Sequence, residues 1–199
     1  MSSKVLASAI APLPDKKLPV IVAGGSFNND RHRTVMKNDI KLLIDNMLSL
    51  ADPDEVFFVI GHKINAYEKY LCEKAGGRFD IYAFVPSSIS ENERKRILNS
   101  GVKVRVAIEP LGLGTYKSIA YEIFKNRRSV LIALDGNSAG ANLIQEAKNG
   151  KNKCTIFVLH SSKSLREKAE SLRGYAILFK DTREVKEKLK EIIKQYEEN

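Results

Sequence analysis

Five short segments hold the residue types that could bind an anion: Gly24-Gly25-Ser26, Gly61-His62-Lys63, Pro86-Ser87-Ser88, Glu109 to Thr115, and Asp135 to Gly140. Glycine lets a backbone approach a phosphate closely, and the amides that open a following helix stabilise negative charge. Gly24, Gly25 and Ser26 would supply backbone donors, while Gly61, Gly112, Gly114 and Gly136 permit close approach. Lys63 offers a point charge and Thr115 a hydroxyl to phosphate, with His62 beside them. Arg31, in the stretch Asp30-Arg31-His32-Arg33, could grip phosphate through its guanidinium. Ser138, Gly140 and Asn142 would close the far side of the cleft, next to Asp135.

Each of these segments follows a short apolar run, and the runs are what must position them. Val20–Ala23, Val56–Ile60, Ile81–Val85, Ser129–Leu134 and Cys154–Leu159 have the length and branching of strands buried on both faces. Val102–Val106 alternates apolar and charged residues, as a strand with a wet face or an edge position would, and Tyr175–Phe179 forms a late strand. Helical spacing fills the intervals: about 33–50, 64–75, 115–126, the stretch up to Gly150, 164–172 and 181–198. Ser90-Glu91-Asn92-Glu93 has the pattern of a capping box opening a further helix to about Asn99. This alternation predicts an α/β, three-layer Rossmann-like fold, with a mainly parallel central sheet flanked by helices. In such sheets ligands bind beyond the carboxyl ends of the strands, which is where the five segments fall. Residues 1–19, with Pro12, Pro14 and Pro19, read as an extended N-terminal arm, and residues 20–199 as a single nucleotide-binding domain.

Composition narrows the function further. With 43% hydrophobic and 29% charged residues over 199, the chain is of ordinary globular type. No run approaches the roughly 18 apolar residues of a membrane span, and the opening apolar run is broken by Ser8, so a cytoplasmic protein is expected. Cys72 and Cys154 lie far apart, and the 3 histidines have no ligand spacing, so neither a disulfide framework nor a metal site is expected. Gly112-Leu113-Gly114-Thr115 is not the dinucleotide fingerprint and no Walker loop is present, so no resident cofactor is expected. The net charge of +9 favours an anionic partner.

The order of elements resembles the SLOG superfamily, which joins DNA-processing protein A with the Lonely Guy phosphoribohydrolases. The resemblance covers about residues 20–160. It rests on Gly24-Gly25-Ser26, on Gly61-His62 leading into a helix with Glu68, and on Asp135-Gly136-Asn137-Ser138-Ala139-Gly140 before a helix. It implies a phosphate-bearing nucleotide, a nucleotide-derived signal or single-stranded DNA as ligand, and self-association, as in a homodimer. The phosphoribohydrolases use a proline–glycine–glycine–x–glycine–threonine loop closely followed by a glutamate. Here no proline precedes Gly136, Ala141 stands where the threonine would, and Glu146 lies later. The leading expectation is therefore a noncatalytic sensor or carrier of a phosphate-bearing nucleotide ligand. One alternative is an N-glycosidic hydrolase of nucleoside phosphates with Glu68, Glu109 or Asp135 as its carboxylate. The other is a single-stranded DNA-binding protein using Arg94, Lys95, Arg96, Lys103, Arg105, Lys117, Lys125, Arg127 and Arg128, with Tyr67, Tyr70, Tyr116 and Tyr121 for stacking.

Overall fold

Apolar runs that cannot leave either face wet become the interior strands of a sheet covered on both sides. The computed structural model describes residues 3–24, 38–62, 64, 66–86, 88–102, 104–108, 114–134, 138–150, 154–159, 163–172, 174–180 and 182–197. In chain order the elements are α1 (Ser3–Ile10), β1 (Leu18–Ala23), α2 (Asn38–Leu50), β2 (Val56–Ile60), α3 (Ala66–Ala75), β3 (Ile81–Pro86), α4 (Glu91–Leu98) and β4 (Val104–Ile108). There follow α5 (Thr115–Asn126), β5 (Ser129–Ala133), α6 (Ser138–Asn149), β6 (Cys154–Leu159), α7 (Lys163–Ser171), β7 (Ala176–Phe179) and α8 (Thr182–Glu197).

All pairings are parallel, in a 7-stranded sheet of order β4-β3-β2-β1-β5-β6-β7. The expected three-layer α/β architecture is therefore observed, and Val104–Ile108 takes the predicted edge position. Side chains alternate across the pleat. Val20, Val22, Phe58, Ile60, Val130 and Ile132 join a core with α2, α3, α4 and α8. Ile21, Ala23, Phe57, Val59, Leu131 and Ala133 join a second core with α1, α5, α6 and α7 on the opposite face.

The chain runs outward from β1 to β4, then returns through α5 to place β5 on the other side of β1. That reversal makes the carboxyl ends of β1 and β5 the switch point, the place where sheets of this type bind their ligands. Pro19 is tolerated in this central strand because of its position: β1 pairs β5 only from Val20↔Val130 onward, so its missing N–H falls before that ladder starts. Ser90 forms the predicted capping box, accepting from the Glu93 backbone while the Glu93 side chain reaches the Ser90 backbone.

One expectation is corrected. The segment read as an extended arm begins with a helix, α1, whose Ala9 is buried and whose Val5, Leu6 and Ile10 pack on the second core. All three prolines lie beyond the end of that helix, so they restrict residues 12–19 and leave the apolar spacing of Val5, Leu6, Ala9 and Ile10 free to set a helical stripe. The helix expected from about residue 33 is seen from Asn38, its first part lying outside the described residues.

Candidate functional site

Three helices bring their amino ends to the carboxyl end of β1. Tyr67, the second residue of α3, lies against Gly24, where an added Cβ would come within 2.2 Å of its ring. Tyr116, the second residue of α5, donates its hydroxyl proton to the Val22 carbonyl at 2.9 Å. Leu134 donates to Ala23 O at 2.8 Å, and only residues 135–137 separate it from the start of α6 at Ser138. Because Ala23 O faces β5, the alternation of the strand turns Val22 O toward the β2 side. The β1–β2 register ends at Ile21↔Val59, so the Tyr116 hydroxyl takes an acceptor that the ladder no longer satisfies.

Neither α5 nor α6 has an acidic residue in its first turn. Gly114 at the N-cap of α5 provides no side-chain cap hydrogen bond. The positive ends of both helix dipoles are thus presented with no acid in their own first turns. Gly140 is buried within α6, consistent with close packing near its start.

On the other side of β1 the polarity differs. Glu68, in the first turn of α3, is buried and accepts the Gly61 backbone N–H at 3.0 Å and the Tyr67 hydroxyl at 3.4 Å. A Cβ on Gly61 would stand 2.7 Å from Glu68 Oε1, so the carboxylate can seat there only beside a glycine. Burial, then the charges of Glu68 and of a Tyr116 phenolate, push the Tyr67 phenol well above its ordinary pKa, while the Gly24 amide opposes the rise. Burial and the Glu68 charge push Tyr116 up as well. Both rings therefore stay protonated at neutral pH and act as hydrogen-bond donors. His62 is buried beside them in sequence, and Ile64 holds a φ of +46°, a conformation that a β-branched residue seldom adopts.

Of the residues expected to bind, Gly24, Gly61, His62, Gly114, Thr115, Ser138, Gly140 and Asn142 are described. Gly24, Gly61, His62, Gly114 and Thr115 lie next to the contacts just given at the ends of β1 and β2 and the start of α5, with Thr115 fully buried. Ser138 begins α6, and Asn142 is exposed one turn along it. Gly25, Ser26, Arg31, Lys63, Gly112, Asp135 and Gly136 lie outside the described residues, as does Glu109. Sequence reasoning missed the role of Tyr67 and Tyr116 at the strand end. A signal existed: each is the second residue of a helix that follows a glycine-bearing segment.

Among the described residues the basic side chains of the middle of the chain do not gather on one side; Lys103 and the side chain of Arg105 lie outside the described residues. Ile97 anchors α4, with Arg94, Lys95 and Arg96, to the first core, whereas α5 with Lys117 and Lys125 packs on the second. Arg127 donates to the carbonyls of Pro14, Asp15 and Lys17, and Arg128 to Gln195. No cluster of residues that could hold a metal is present among the described residues. Among them, too, no helix is long and apolar enough to cross a membrane.

No known family's sequence model matches the chain, and no curated protein matches it by sequence. Solved structures do. The molybdenum cofactor carrier protein of Chlamydomonas reinhardtii superposes with a TM-score of 0.61 at 14% identity, over 89% of this chain and 99% of that one. A second structure of the carrier protein from that organism gives 0.58 at 16% identity, over 90% and 99%. The Rossmann-like α/β fold is shared across nearly the whole of both chains.

Proposed function

We propose that the chain is a noncatalytic carrier or sensor of a small phosphate-bearing ligand, a nucleotide or a nucleotide-derived cofactor, bound at the carboxyl ends of β1 and β5. The observation that carries this reading is the meeting of the α3, α5 and α6 amino ends at β1, with acid-free first turns on α5 and α6. Backbone amides at the starts of α5 and α6, whose own first turns carry no acid, suit a phosphate. The fold shared with a cofactor carrier protein supports a carrier role, and the resemblance of the Gly24-Gly25-Ser26 and Asp135 to Gly140 segments to the SLOG superfamily supports the same cleft.

In this reading the phosphate takes the amides at Gly114 and Thr115 and at the start of α6, with Gly25, Ser26, Arg31 and Lys63 contributing from the neighbouring segments. Tyr67, Tyr116 and Glu68 form the wall beneath. The hydrolase alternative draws less support. Glu68 Oε1 is engaged by the Gly61 amide and the Tyr67 hydroxyl, a load that suits bracing the second loop. A DNA interface is likewise less favoured, because its basic residues divide between two faces and Arg127 and Arg128 are spent on backbone carbonyls and Gln195.

Gly114→Asp tests the proposal directly. An added Cβ at Gly114 meets nothing within 4 Å, so the variant should fold. Its carboxylate would occupy the anion position and cap α5 itself. Calorimetry with a panel of nucleoside monophosphates and with molybdenum cofactor should show at least one ligand bound by the wild type and lost in Gly114→Asp, with no base released from any nucleotide. Equal affinities in the two proteins would overturn the placement of the phosphate, and base release would overturn the noncatalytic reading.

A further inference from the structure

The helices over the first core do not close ranks. α2 packs against α3 on one side and α8 on the other, but α3 and α4, which follow successive strands, stand too far apart to pack along their lengths. Ile97 is the residue that α4 buries. Between the two helices lies a groove of about 760 Å³, lined by Ile64, Lys69, Cys72 and Glu73 on the α3 side and by Arg96 and Asn99 on the α4 side. Ile64 and Cys72 are buried and give it an apolar floor. Gly76, Gly77 and Gly101 border it with backbone alone, and an added Cβ at Gly77 would meet nothing within 4 Å.

We propose that this groove docks an acidic segment of a partner protein, its carboxylates meeting Lys69 and Arg96 and an apolar side chain seated over Ile64 and Cys72. Openness selects a segment of polypeptide. Lys69 and Glu73 keep 66% and 60% of their side chains exposed, so a small molecule lying here would leave much of its surface wet, whereas sites for small ligands enclose most of theirs. A stretch of chain needs no such enclosure, and bare glycine backbone lets it lie close. Charge selects an acidic one. Lys69 and Arg96 come from opposite walls, Arg94 and Lys95 continue the basic stretch on α4, and the net charge of +9 steers an acidic partner toward the molecule. The Lys69–Glu73 pair, 3.7 Å apart and exposed, is worth little, so a carboxylate of the partner can take the place of Glu73.

Position adds to this. Ile64, at the end of the groove where α3 begins, holds its φ of +46° two residues after His62, which closes β2 at the candidate cleft. Strain of that kind persists where the surrounding structure imposes it, and it gathers at functional positions. A segment docked between α3 and α4 therefore comes up to the cleft from the β2 side. That it would meet a carried ligand there rests on the carrier reading; the docking itself does not.

Nuclear magnetic resonance on the isotopically labelled full chain tests this, with a short acetylated peptide of repeating Glu-Glu-Leu as the probe. The peptide should shift the amides of Gly76, Gly77 and Gly101 and leave those of Gly61 and Gly114, at the candidate cleft, in place. Arg96→Glu, at an exposed position, should weaken the peptide by about tenfold or more. Asn99→Trp fills the groove from another exposed position without changing its charge and should abolish the shifts, both variants keeping the circular dichroism of the wild type. A nucleotide would report at Gly61 and Gly114 in the same spectra, so failure of the docking and failure of the carrier reading are told apart. Wild-type groove glycines that do not move, shifts that persist in Asn99→Trp, or equal shifts with a Lys-Lys-Leu peptide or with single-stranded oligothymidylate would each overturn the proposal.

Discussion

Gly24 and the ring of Tyr67 share a space that admits no side chain at position 24. An added Cβ would sit 2.2, 2.6 and 2.8 Å from three ring carbons, all part of a rigid, buried group. Gly24→Ala should therefore destabilise by about 1–3 kcal/mol, as overpacking does. Pairing it with Tyr67→Ala should recover part of that loss, so the double-mutant cycle in a denaturant titration should be strongly non-additive. Tyr67 and Tyr116 also set a pH limit. Each holds its proton in the folded state above the pH at which a tyrosine of the unfolded chain, with pKa about 10, releases it. The unfolded state then binds fewer protons, so stability is fully present below about pH 10 and falls as pH rises beyond it. Denaturation midpoints measured at increasing alkaline pH should fall less in a Tyr67→Phe variant than in the wild type.

At the scale of the element, helix ends decide more than helix interiors. Ser90 and Glu93 close α4 reciprocally, and that helix start is self-sufficient. α5 opens on Gly114 with neither a side-chain cap nor an acid in its first turn. A protein tuned only for stability would place Ser, Asp or Asn there. Gly114→Asp should accordingly raise the stability of the ligand-free protein by about 0.5–1 kcal/mol, read as a higher thermal midpoint, while abolishing ligand binding. A drop in both would mean that Gly114 serves the fold and not the ligand. α1 teaches a related lesson about elements: its stripe is short, and it is stable because α5 and the second core receive it.

On the scale of the whole molecule, the segment between α1 and β1 is tied to the amino edge of the sheet. Arg127 serves the carbonyls of Pro14, Asp15 and Lys17, Lys17 pairs with Asp80 at 2.9 Å, and the Tyr196 hydroxyl reaches Asp15 O and Lys17 O. These contacts connect the N-terminal segment with β5, the start of β3 and α8. Arg127→Ala removes the donor of the Pro14 carbonyl and one of the donors shared by the Asp15 and Lys17 carbonyls, and should cost about 1–3 kcal/mol. The loss should be distinctly larger than for the exposed Arg94→Ala, which should change stability by less than about 0.5 kcal/mol in the same chemical denaturation. The candidate site lies at the opposite edge, so nucleotide affinity per folded molecule should be unaffected by Arg127→Ala.

The parallel sheet and its seven strands were legible from the sequence, because buried strands must be apolar on both faces and each announces itself over a few residues. The capping box at Ser90 was legible for the same reason, being complete within four positions. Sequence could not place β5 beside β1, since strand order is settled by how α5 packs across the sheet and leaves no mark on the strands themselves. It could not bring Tyr67 and Tyr116 to one strand end from opposite layers, nor show that Gly61 is a glycine so that Glu68 can seat against it. Nor could it tell that Arg127 is engaged in holding residues 14–17 and is not free to meet a polyanion. Those relations join residues dozens of positions apart, and only the folded chain, by choosing which surfaces exclude water together, decides them.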